Sequence, residues 1–65
     1  MLATRVAELV ADSPQGFEEA IRHGMAQAHA RLGNIHGAWV RRQRVVEAGG
    51  LRAYRVVLKV AFRPD

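Results

Sequence analysis

The chain predicts an α+β fold of order β-α-β-β, on three observations. Tyr54, Val56, Leu58, Val60 and Phe62 alternate with Arg55, Val57, Lys59, Ala61 and Arg63, the period of a strand with one face in a core. Phe17, Ala20, Ile21, Gly24, Met25, Ala28 and Leu32 recur at three- and four-residue steps, the period of a helix with one apolar stripe. Ala48-Gly49-Gly50 separates two strand-like runs, as a hairpin requires.

Each element follows in order. Thr4 to Ala11 reads as a first strand of small apolar residues. Asp12-Ser13-Pro14-Gln15-Gly16 reads as a turn leading into the helix, with either Ser13 capping it and Pro14 in first position, or Gly16 as a later cap. Glu18 and Glu19 fall in the first turn, where the helix dipole favours negative charge. Arg22, Gln27, His29 and Arg31 take the flanks and outer face. Gly33-Asn34 ends the helix after Leu32, because both residues tolerate the left-handed conformation. A second strand spans His36 to Glu47, and the third spans Ala53 to Arg63. The helix stripe and the Tyr54–Phe62 row must cover each other. The other face of the three-stranded sheet then stays open, and its mixture of small, apolar and basic residues suits a partner subunit or a ligand.

Composition narrows the class. Residues 1–65 are predicted to form one domain. A chain this short buries only about 60% of its unfolded surface, so its core is marginal. There is no cysteine, which excludes disulfides and thiolate metal sites. His23, His29 and His36 lack a paired spacing for zinc. Oligomerisation is left as the stabiliser. No apolar run approaches the ~20 residues of a membrane helix. Arg5 and Glu8 break the layout of a signal peptide, so a cytoplasmic protein is expected. The net charge of +4 fits an anion site, a nucleic-acid surface or simply a solvated exterior.

Taken together, the residues resemble the dodecin family. The likeness runs through Arg5-Val6-Ala7-Glu8-Leu9-Val10, Ser13-Pro14, Phe17-Glu18-Glu19-Ala20-Ile21, Ala26, Ala28, Leu32, Asn34-Ile35 and Val40, and is strongest over Tyr54–Arg63. No single piece is specific; the ordered set is. The resemblance implies a three-stranded antiparallel sheet wrapped around one helix and a hollow homododecamer. It also implies binding or storage of a flavin (riboflavin or FMN) rather than catalysis.

The family's flavin motif is altered here. Where flavin-binding members carry a stacking tryptophan, this chain has Gly37. Where they carry a glutamine after the last strand's tyrosine, it has Arg55. Arg42 replaces the usual acidic residue of the second strand. The chain resembles more closely a branch lacking that tryptophan, some of whose members are associated with calcium. Trp39 lies two residues beyond Gly37, on the same sheet face and ~6–7 Å along the strand, where it can stack on a displaced ligand or pack on a neighbouring subunit. His36 opens the strand beside the site. The expected ligand contacts are therefore His36, Gly37, Trp39 and Arg55, with no catalytic or metal-ligating residue.

Alternatives come from other classes. Arg55, Lys59 and Arg63, with Arg41, share the non-helix face and suit a phosphate or carboxylate ligand, or else pair with Glu8, Glu47 or Asp65 across subunits. Calcium needs six to eight oxygens, from few acidic residues and no Asp-x-Asp run, so symmetry would have to gather Glu8 or Glu47 copies. Arg41-Arg42-Gln43-Arg44 is a basic patch, but strand alternation is expected to split it between the two faces. One tryptophan makes no multi-base platform, so nucleic acid is the weaker partner. No nucleophile triad, paired catalytic carboxylates or phosphate loop supports an enzyme.

Overall fold

The computed structural model describes residues 3–64. It contains β1 (Arg5–Ser13), α1 (Phe17–Leu32), β2 (Ile35–Ala48) and β3 (Leu51–Phe62). The sheet order is β1-β3-β2 with both pairings antiparallel, so the most apolar strand lies in the centre. This is the β-α-β-β arrangement expected from the alternation.

The core forms where the two predicted stripes meet. Val56, Leu58 and Val60 of β3 are buried against Ala20 and Ala28 of α1 and Ala11 of β1. Each of the three β3 side chains, Val56, Leu58 and Val60, contributes about 1.5–3 kcal/mol by leaving water. Small helix residues at four-residue steps, Ala20, Gly24 and Ala28, let α1 approach the sheet closely. At Gly24 the approach is tight: a β-carbon there would stand 2.5 Å from Leu58 Cδ1 and 3.2 Å from Ala11 Cβ. Leu9, Phe17, Ile21, Met25, Leu32 and Ile35 pack around this centre, and Phe17 meets Tyr54 edge-on at 5.1 Å.

Element ends differ from expectation where register overrides turn chemistry. β1 extends through Asp12 and Ser13, because they pair with Arg55 and Tyr54. Ser13 does not cap the helix. It is fully buried, and its Oγ accepts the Gln15 N–H at 3.0 Å, while Gly16 takes the cap position. β2 and β3 each begin earlier than read, at Ile35 and Leu51, and their hairpin closes through Gly49 and Gly50 at φ 59° and 78°. Two consecutive residues at positive φ are what a tight two-residue hairpin turn needs. Beyond Ser13 the β2–β3 hairpin continues without β1 as a two-stranded ribbon, which helps give the chain its length of 49 Å.

Two irregularities interrupt β2, between Ile35 and Gly37 and between Val40 and Arg42. A bulge opposes two residues to one and resets which face the following side chains take.

Candidate functional site

The face of the sheet turned away from α1 is open. Register places Val6, Glu8, Val10 and Asp12 of β1 on it, beside Arg55, Val57, Lys59 and Ala61 of β3. Gly37 and Trp39 of β2 join them opposite Ala61 and Lys59. Val6, Val10 and Trp39 are more than half exposed there.

Trp39 is 56% exposed, and its indole does not stand straight out. It leans along the strand over Gly37: a β-carbon on Gly37 would lie 3.4 Å from Cη2 and 3.8 Å from Cζ2 and Cζ3. A β-carbon there would meet the ring at ordinary van der Waals contact, so only a side chain larger than a methyl group would disturb this pose. The far end of the indole therefore covers the position at which the sequence lacks an aromatic residue.

Arg55 is on the same face but elsewhere. Its partner across the strands is Arg44, four β3 residues from Lys59, so it lies ~13 Å along the sheet from the Trp39 level. Its guanidinium donates two hydrogen bonds to Asp12, Nε to Oδ1 at 2.8 Å and Nη2 to Oδ2 at 3.0 Å. The hydrogen bond from Arg55 holds the Asp12 carboxyl below its ordinary value, against the opposing effect of burial and with the help of the guanidinium charge. The same contacts raise Arg55. A two-pronged pair of this kind fixes the guanidinium plane.

His36 is the extra residue of the first bulge and is exposed. Among the described residues its side chain makes no hydrogen bond or ion pair. The four expected contact residues thus divide: Gly37 and Trp39 come together, while His36 and Arg55 do not join them within one chain.

The second bulge corrects the reading of the basic patch. Arg41 is the inserted residue, and it pairs with Glu8 across the open face. Arg42 and Arg44 then fall opposite Val57 and Arg55, so Arg41, Arg42 and Arg44 all share that face instead of being split between two. The carboxylate pairings form within the chain: Arg41 with Glu8, Arg55 with Asp12 and Arg52 with Glu47 at 3.2 Å. Asp65, also considered as a partner, lies outside the described residues. Asp12 was missed because Asp-Ser-Pro reads as a turn. On the helix, His23 is a surface residue whose Nε2 lies 3.0 Å from Glu19 Oε2.

Among the described residues no three His, Cys, Asp or Glu side chains gather where a metal ion would sit. No helix is long and apolar enough to cross a membrane.

Comparison with known proteins agrees with this geometry. The sequence profile of the dodecin family matches residues 3–65. Among solved structures the chain is similar to the dodecin from Streptomyces davaonensis, at 34% identity and a TM-score of 0.86, over 98% of this chain and 96% of that one. It is similar to an arginine-to-alanine variant of the Thermus thermophilus dodecin, at 30% identity and a TM-score of 0.85, over 100% and 98% of the two chains. It is also similar to a calcium-chelating dodecin from Mycobacterium tuberculosis, at 26% identity and a TM-score of 0.84, over 97% and 91%. A search among curated proteins returned no match. With the matched profile spanning nearly every residue and the same β-α-β-β sheet, the chain belongs to the dodecin family.

Proposed function

We propose that this protein is a cytoplasmic, non-catalytic ligand-binding and storage protein that assembles with copies of itself into a homododecamer. Its ligand is a planar small molecule of the flavin type, held against Trp39. The observation that carries this reading is the half-exposed indole lying over Gly37 on an otherwise uncovered sheet face. An aromatic plane in that pose offers a stacking surface, and stacking of one ring on another adds about 0.5–1.5 kcal/mol beyond burial.

Assembly is supported by the exposure of Val6, Val10, Trp39, Val40, Val45 and Leu51, more apolar surface than a chain of this size leaves to water without reason. Arg55, tied to Asp12 and ~13 Å from the Trp39 level, would reach a ligand stacked on Trp39 only from a neighbouring copy. The calcium bound by the Mycobacterium tuberculosis relative is the less favoured ligand. On the open face Glu8 and Asp12 are already engaged by Arg41 and Arg55, so a cation would have to displace two arginines.

The test is light scattering followed by equilibrium dialysis against riboflavin. The reading expects a particle of about twelve chains that retains the yellow ligand. A monomer, or a shell that retains neither riboflavin nor FMN, would contradict it.

A further inference from the structure

Lys59 is the cation placed beside Trp39 on the open face. It stands on the central strand, directly across from Trp39 on one side and from Glu8 on the other. Side chains opposed in this way have β-carbons ~4.5–5.5 Å apart. Glu8 is the natural partner for Lys59, but Arg41, the inserted residue of the second bulge, reaches across β3 and takes that carboxylate. Lys59 is left exposed, and among the described residues its side chain makes no hydrogen bond or ion pair. The ground beside it is low. The indole leans over Gly37, and Gly37 is paired with Ala61 of β3. Neither residue carries a side chain longer than a methyl group, so a planar ring stacked on the indole can overhang β3 at that level. Lys59 lies two residues from Ala61 on the same face, ~6–7 Å away, a distance its four-carbon stem spans. The stem can lie along the sheet while the ammonium reaches the rim of the ring.

We propose that Lys59 determines the specificity of the Trp39 site. Its ammonium donates a hydrogen bond to a carbonyl oxygen on the rim of the stacked ring, so the protein selects planar heterocycles that bear ring carbonyls over rings of the same outline that bear none. This rests on the stacking role given to Trp39. The chemistry follows from the donor: an ammonium offers three N–H groups and accepts nothing, so the rim atoms it recognises are acceptors. The contact is made within one chain, whereas Arg55, four residues away on β3, reaches the same ring only from a neighbouring copy. Arg41 serves the contact without touching the ring. By engaging Glu8 it keeps a carboxylate from competing for the ammonium.

The experiment titrates two neutral compounds into the assembled protein and into a Lys59→Met variant, with particle size checked by light scattering. One is riboflavin, which carries ring carbonyls. The other is phenazine, a tricycle that carries none. The variant is expected to bind riboflavin at least about tenfold more weakly than the native protein, the worth of a hydrogen bond from a charged donor, and phenazine within about twofold of it. Infrared difference spectra of bound riboflavin should place the ring carbonyl stretch at lower frequency in the native protein than in the variant, because a hydrogen bond from a cation weakens the C=O bond. A lysine with a merely structural role would not move that band. Unchanged riboflavin affinity, an equal loss for both compounds, a native preference for phenazine, or one carbonyl band in both proteins would overturn the role of Lys59 and leave stacking on Trp39 standing. Native protein that binds neither compound would overturn both.

Discussion

The indole of Trp39 covers Gly37, with Cη2 3.4 Å from the point a β-carbon on Gly37 would occupy. That distance is ordinary van der Waals contact, so the glycine is not required to avoid a clash with a methyl group. Gly37→Ala should therefore be accommodated and should stabilise the chain by about 0.5–1 kcal/mol, because glycine is costly within a strand. Thermal melting checks it. A drop in melting temperature would show that the indole cannot tolerate a neighbour there.

A larger residue at the same place should separate stacking from folding. Gly37→Leu is expected to push the indole out from the strand and shift tryptophan emission to longer wavelength, with the oligomer intact by light scattering. Unchanged emission would mean that the ring does not rest over residue 37.

The tight helix–sheet approach at Gly24 gives a packing prediction. Gly24→Ala gains about 1 kcal/mol of helix propensity but places a methyl 2.5 Å from Leu58 Cδ1, in a core where Leu58 is 1% exposed. Overpacking of this kind costs about 1–3 kcal/mol, so the net effect should be destabilising. Leu58→Ala alone should cost about 2–5 kcal/mol. The two changes together should cost less than their sum, because the added methyl fills space that the leucine vacates. Denaturant melts of the four proteins provide the check, and simple additivity would contradict the contact.

The Asp12–Arg55 pair predicts an acid-side loss of stability. Asp12 is held below its ordinary value in the folded chain, so its contribution is present above the unfolded value and is lost as pH falls through the folded one. Between neutral pH and about pH 4 the pair should be intact, with loss beginning below that. Asp12→Asn should melt at a lower temperature than the native protein at pH 7, and the gap should close toward pH 2.5. A gap that persists unchanged at pH 2.5 would show that the carboxylate charge is not what stabilises the pair.

Much of the fold was legible because the deciding residues carry their period plainly. Tyr54–Phe62 and the α1 stripe cover each other as alternation and helical spacing predict, and Gly49-Gly50 forms the turn. The shared face of Gly37 and Trp39 also followed from parity. The lean of the indole did not, because it depends on side-chain torsions that no sequence period encodes. The bulge at Arg41 was equally silent. An inserted residue without glycine or proline leaves no local mark, yet it decides that Arg41, Arg42 and Arg44 share one face. Asp12 misled in the opposite direction: its turn-forming chemistry is genuine, but pairing with Arg55 holds it in β1.

The central claim, that Trp39 provides the stacking surface for a planar ligand, is tested most directly by titrating the protein into riboflavin while following flavin fluorescence. Native protein should be run beside Trp39→Ala, with light scattering on both. The account predicts saturable quenching by the native protein and at least a tenfold loss of affinity in the variant, from particles of equal size. Equal quenching by both proteins, or none by an assembled native protein, would contradict it.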